Sequence, residues 1–88
     1  MRTIVEGPYL SPGRRFGKPA QHLNYNYWYI RRLRRLDEPS PLGLPDVTLG
    51  TVVNYLDQPK RYIIRGTWPI VEFSTLEECA RYLLERNP

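Results

Sequence analysis

An α+β domain is the fold class this sequence predicts: a small antiparallel sheet of three to four strands, packed by a C-terminal amphipathic helix, with a second short helix near residues 48–56. Three observations predict it. Residues 24–32 alternate aromatic and polar side chains as a strand does, residues 61–73 read as a hairpin, and residues 75–86 carry an apolar stripe at helical spacing.

Taken in order, residues 2–6 form a short strand, since Ile4 and Val5 are β-branched and Gly7-Pro8 ends the run. Residues 7–21 contain three Gly, three Pro and three bases with no period of two or of 3.6, and read as a basic arm with Tyr9, Leu10 and Phe16 as anchors. Gly13 to Lys18 superficially resembles a phosphate-binding loop, but Pro12 stands where its first glycine belongs and Pro19 where Ser or Thr belongs.

In residues 24–32, a strand puts Tyr25, Tyr27 and Tyr29 on one face with Arg31, and Trp28 and Ile30 on the other. A helix would gather Tyr25, Trp28, Tyr29, Leu33 and Leu36 on one side with Arg32 in the middle of the stripe. The aromatic content favours the strand. Residues 37–46 hold three prolines and form a loop. Leu49, Val52, Val53 and Leu56 then recur at helical spacing, which predicts a helix over 48–56, with a strand through 51–55 as the alternative.

Residues 61–65 and 68–73 are the two hairpin strands around a turn at Gly66-Thr67; Pro69 has no N–H to give, so the return strand lies at an edge or begins after it. Ser74 with Glu77 matches a capping box, and Leu76, Cys79, Ala80, Leu83 and Leu84 form the buried stripe of the helix. Ile63, Ile70, Val71 and Phe73 are the expected sheet partners of Leu76, Ala80, Leu83 and Leu84.

Eighty-eight residues make one domain, divided into a strand plus basic arm (1–21) and a globular body (22–88). No apolar run approaches a membrane span, and residues 1–8 lack the apolar core of a signal peptide. A cytoplasmic or equivalent reducing location and no membrane partner are therefore expected. One cysteine, Cys79, and one histidine, His22, leave no disulfide, no zinc site and few parts for catalysis, so neither enzyme activity nor a cofactor or metal is expected.

The net charge of +4 is unevenly spread. Residues 1–36 hold eight Arg or Lys against one acid, a net +7, whereas residues 37–88 hold five bases and eight acids, a net −3. Guanidinium groups pair with phosphates and aromatic faces stack on unpaired bases. Arg31, Arg32, Arg34 and Arg35, with Tyr25, Tyr27 and Tyr29, are accordingly the candidate contacts of a nucleic-acid-binding module, RNA or DNA, or of a nucleoprotein subunit. Arg14, Arg15 and Lys18 of the arm are a second group that could track phosphates. The alternative partner is an acidic protein surface meeting the same aromatic-Arg patch, as an inhibitor or accessory subunit would. The purely structural reading is that the rings are sheet-face packing and the arginines solvate an edge.

Residues 61–86, strand–turn–strand followed by Phe73-Ser74-Thr75-Leu76-Glu77-Glu78 and a helix, resemble the last part of small β-hairpin-plus-helix modules, among them the arm-type DNA-binding domains of recombinases. The resemblance assigns no functional residue.

Overall fold

The computed structural model describes residues 3–40 and 42–88. Arg2, the first residue of the strand expected over 2–6, lies outside the described residues. Seven strands occur among them: β1 (Thr3–Ser11), β2 (Arg14–Arg15), β3 (Lys18–Pro19), β4 (Tyr25–Leu33), β5 (Asp46–Tyr55), β6 (Tyr62–Ile64) and β7 (Val71–Phe73). A 3-10 turn, Gln21–Leu23, precedes β4, and one helix, α1 (Leu76–Arg86), follows β7. The fold is α+β. β1, β4, β5, β6 and β7 lie side by side in that order as one antiparallel sheet, with β2 and β3 as a separate small hairpin inserted after β1.

The first strand runs past Gly7-Pro8 instead of stopping there. A bulge between Glu6 and Tyr9 absorbs the pair, and pairing with β4 resumes from Tyr9 to Ser11. Gly7 has φ +133, and a Cβ there would lie 2.8 Å from the Tyr27 carbonyl oxygen and 2.9 Å from Trp28 Cδ1, so the bulge requires glycine. Pro8 is tolerated because β1 is an edge strand. The arm expected over 7–21 is therefore ordered structure: the end of β1, the β2–β3 hairpin and the 3-10 turn.

The helix expected over 48–56 is instead strand β5, and the only helical piece besides α1 among the described residues is the 3-10 turn. Val47, Thr48, Thr51, Val52 and Val53 are β-branched and Gly50 is a poor helix former. Val52 and Val53 point to opposite faces, yet both are buried. Burial on both faces erases the alternation that marks a half-buried strand and leaves a spacing that mimics a helix. β4 forms as the aromatic pattern predicts.

α1 covers one face of the sheet. The core there consists of Trp28, Ile30, Val52, Ile64, Cys79, Ala80 and Leu83, with Leu49, Tyr62, Val71, Phe73, Leu76 and Tyr82 packed around it. Ile64, not Ile63, supplies the aliphatic from β6, because Ile63 opposes Val53 on the other face. Ile70 precedes β7 and is 52% exposed. α1 starts one residue later than the Ser74–Glu77 box suggests. Thr75 is the cap: its Oγ1 accepts from the Glu78 N–H at 3.2 Å and donates to Glu78 Oε1 at 3.0 Å. Leu83 sits over Gly50, where a Cβ would come within 3.0 Å of its Cδ2, so the missing side chain is what lets the helix approach the sheet.

Candidate functional site

With α1 on one side, no element of the described chain covers the other face of the sheet. Strand alternation sends Tyr25, Tyr27 and Tyr29 of β4 to this open face. Register then brings two more rings beside them: Tyr9 of β1 opposes Tyr27, and Tyr55 of β5 opposes Tyr25. The five rings form one continuous patch, with centroids 5.5 Å apart for Tyr9–Tyr27, 5.7 Å for Tyr27–Tyr29, 6.1 Å for Tyr25–Tyr27 and 5.6 Å for Tyr25–Tyr55. Tyr25, Tyr27, Tyr29 and Tyr55 are half-buried and Tyr9 is exposed, so every ring keeps surface open to solvent. The tilted and edge-on packing holds the rings against one another, which limits the rotamer freedom lost when a ligand lands. Tyr9 Oη donates to Glu6 Oε2 at 2.9 Å, and that hydrogen bond pushes the phenol above its usual range. Sequence reasoning took Tyr9 as an anchor and passed over Tyr55. Reading 48–56 as a strand paired with β4 would have found it.

The arginine block is differently placed from the outward array that its composition suggests. Arg32 shares the core-side face of β4 with Trp28 and Ile30 and is 5% exposed. Its Nη2 donates to Glu38 Oε2 at 2.8 Å, its Nη1 to Glu38 Oε1, and its Nε to the Asn87 carbonyl at 2.9 Å. Arg34 donates to the carbonyl oxygens of Leu44, Pro39 and Asp46 at 3.0, 2.7 and 3.1 Å, which fastens the 34–45 loop. Arg35 Nη1 donates to the Pro88 carbonyl at 2.8 Å, and its Nε lies 3.4 Å from Glu38. Arg31 remains on the tyrosine face, 5.3 Å from the Tyr29 ring centroid; its Nη1 donates to Thr48 Oγ1 at 2.8 Å, and its guanidinium lies 3.6 Å from Glu6 and 4.0 Å from Asp46. All four guanidiniums thus have partners within the chain, and those of Arg32, Arg34 and Arg35 tie the end of β4 to a loop and to the chain's last residues.

Arg32 also gives Glu38 a part in the acid response. Its hydrogen bond, with the Arg35 N–H, holds the Glu38 carboxyl down to about 2, from 4.5. A carboxyl whose folded value is depressed binds protons more readily in the unfolded chain, so its contribution is whole above its ordinary range and is lost as pH falls through the folded value. Thermal melts followed by circular dichroism should therefore show stability declining between about pH 4.5 and about pH 2. Glu38→Gln should lower the melting temperature at neutral pH and flatten that acid limb; an unchanged acid limb would remove Glu38 as its source.

Three cations outside the ion pairs of the described residues lie on the small hairpin. Arg14 pairs with Pro19 and Arg15 with Lys18, around a turn in which Phe16 (φ +53) and Gly17 (φ +77) both take the left-handed conformation that two-residue hairpin turns require. Phe16 is 91% exposed at the tip, and the Arg15 guanidinium lies 5.5 Å from its ring centroid. The hairpin base is clamped: the Gly13 N–H donates to Asn24 Oδ1 at 2.7 Å and the Ala20 N–H to the Gly13 carbonyl at 2.9 Å. Because Asn24 leads into β4 and Ser11 opposes Tyr25, the hairpin leaves the sheet at the Tyr25 end of the ring patch. Arg14, Arg15 and Lys18 are exposed, and no ion pair among the described residues includes them.

Cys79 is buried in the core, where burial first and Glu78 second push its thiol up to about 11, so it is a packing residue. His22 is exposed in the 3-10 turn. No helix among the described residues is long and apolar enough to cross a membrane. No known protein family, curated protein or solved structure matches the chain.

Proposed function

We propose that this protein is a non-enzymatic binding module for single-stranded nucleic acid, alone or as part of a nucleoprotein complex. The observation that carries the reading is the open sheet face, on which Tyr9, Tyr25, Tyr27, Tyr29 and Tyr55 form a continuous aromatic surface. Unpaired bases present flat apolar faces, and a row of solvent-facing rings on a rigid sheet offers matching platforms. A duplex hides those base faces in its own stack, so the surface suits single strands. Arg14, Arg15 and Lys18 supply free positive charge at one end of the rings, where phosphates of a strand leaving the sheet would pass. Arg31 is the member of the block that still borders the rings.

Fluorescence anisotropy with labelled single-stranded RNA and DNA tests this. Binding should be stronger to either single strand than to duplex and should weaken as salt rises. Tyr27→Ala should weaken it by about 5- to 150-fold, the range of one lost stacking contact, and Tyr27→Phe should keep most of it. Absent or salt-independent binding would remove the reading.

A second reading is favoured by Trp68, which is 89% exposed on the loop before β7: tryptophan with tyrosine and arginine is the composition of protein interfaces. A partner retained in pull-downs after nuclease treatment, and lost in Trp68→Ala, would support it over nucleic acid.

A further inference from the structure

We infer that the cavity of about 290 Å³ between the Tyr25–Tyr55 pair and the 65–70 loop is a pocket for one unpaired nucleobase, with Arg65 holding the phosphate attached to it. The inference rests on the nucleic-acid reading above and adds to it a discrete subsite on the same face.

Three parts of the chain build the pocket. Tyr25 and Tyr55 make one wall, their rings 5.6 Å apart and inclined at 63°. Val53 and Ile63, cross-strand neighbours on the open face, make an apolar floor. The 65–70 loop closes the far side, and it is held in place. Thr67 Oγ1 donates to the Ile64 carbonyl at 3.2 Å and accepts from the Val71 N–H at 3.1 Å, bridging the ends of β6 and β7. Gly66 turns the loop at φ +83, and a Cβ there would meet no atom within 4 Å. The wall is thus formed before any ligand arrives, which limits the ordering cost of binding.

Size and charge identify the guest. The volume lies at the lower bound of the roughly 300–1,000 Å³ of ordinary small-molecule sites, which suits a single heterocycle and not an extended cofactor. Arg65 stands at the rim, exposed, and no ion pair among the described residues includes it. An aromatic slot beside a free guanidinium fits a flat ring that carries an anion, which is the chemistry of a nucleotide within a strand. The adjoining rings of Tyr27, Tyr29 and Tyr9 give the next bases in that strand a surface to follow.

Nitrogen-resolved NMR on the intact chain tests the pocket, with uridine and adenosine 5′-monophosphates, inorganic phosphate and a single-stranded oligonucleotide as separate probes. The monophosphates should shift the amides of Tyr25, Tyr55, Gly66 and Thr67 first, while phosphate alone at the same concentration should not. Arg65→Ala should weaken monophosphate binding at least about tenfold with no change in melting temperature, as expected for loss of a charged hydrogen bond at an exposed position. The pocket is overturned, with the aromatic face left standing, if the oligonucleotide binds in a Tyr27-dependent way while the four amides stay still and Arg65→Ala binds as wild type. Shifts reproduced by phosphate alone overturn it as well. Silence of every probe removes both readings, and displacement of monophosphate by an acidic aromatic peptide of higher affinity assigns the pocket to a protein ligand instead.

Discussion

Leu83→Ala should lower the free energy of unfolding by about 2–5 kcal/mol, which in a domain of this size is a fall in melting temperature of roughly 4–8 °C for each kcal/mol. Leu83 is 6% exposed and belongs to the single core between α1 and the sheet. Its Cδ atoms rest against Gly50, at 3.0 and 3.1 Å from where a Cβ would stand. Gly50 has no side chain to move into the space that alanine leaves, so relaxation is limited and the cost should fall in the upper part of the range. A second substitution makes the cause visible. Gly50→Ala in the wild type drives a methyl into Leu83 and should destabilise it. In the Leu83→Ala background the same methyl enters the void and should recover part of the loss, giving a coupling of opposite sign to the single change. Urea denaturation of the four proteins measures this. A Leu83→Ala protein that unfolds like wild type would mean that α1 does not rest on β5.

What could be read from the sequence was whatever one element's own pattern encodes. α1 was legible because Leu76, Cys79, Ala80, Leu83 and Leu84 repeat at helical spacing, though Thr75 takes the cap in place of Ser74. β4 was legible because Tyr25, Tyr27 and Tyr29 alternate with Trp28 and Ile30. Strand β5 was legible only as the alternative over 51–55, because its two central valines are covered from both sides: Val52 by the helix and Val53 by the tyrosine face. That error carried over to the site, since Tyr55 joins the ring patch only if β5 is a strand beside β4. β1 was cut short because Gly7-Pro8 reads as a stop, and only the bulge against Tyr27 and Trp28 reveals why the strand survives it.

The arginines illustrate a different limit. Period-two alternation already places Arg32 on the face of Trp28 and Ile30, so its burial was within reach of the pattern. Its acceptors were not: Glu38 lies across a turn and Asn87 fifty-five residues on, and composition carries no information about either. A dense block of positive charge therefore looked like one binding feature, whereas Arg32, Arg34 and Arg35 act as fasteners. Arg14, Arg15 and Lys18, which join no ion pair among the described residues, sit on a hairpin whose sequence showed no period at all, because two-residue strands are too short to display one.

That division of labour gives the largest expected effect on binding. The triple variant Arg14→Ala, Arg15→Ala, Lys18→Ala should reduce the slope of log K against log salt by about 2, since each phosphate contact on a single strand contributes about 0.7. Affinity at low salt should fall with it, and the melting temperature should change little, because these side chains are exposed and join no ion pair among the described residues. Arg34→Ala is the counterpart. Its guanidinium donates to three carbonyl oxygens of the 34–45 loop and its β5 neighbour, so losing it should lower the melting temperature and leave the salt slope as in wild type. Anisotropy titrations across a range of salt, paired with melts of the same preparations, separate the two classes. If the triple variant keeps the wild-type slope while Arg34→Ala reduces it without loss of stability, the phosphates lie along the arginine block after all, and the intramolecular bonds described for Arg34 must open when the strand binds. If both variants keep the slope, the electrostatic contact lies with other cations of the sheet and its loops, among them Arg31, Lys60, Arg61 and Arg65.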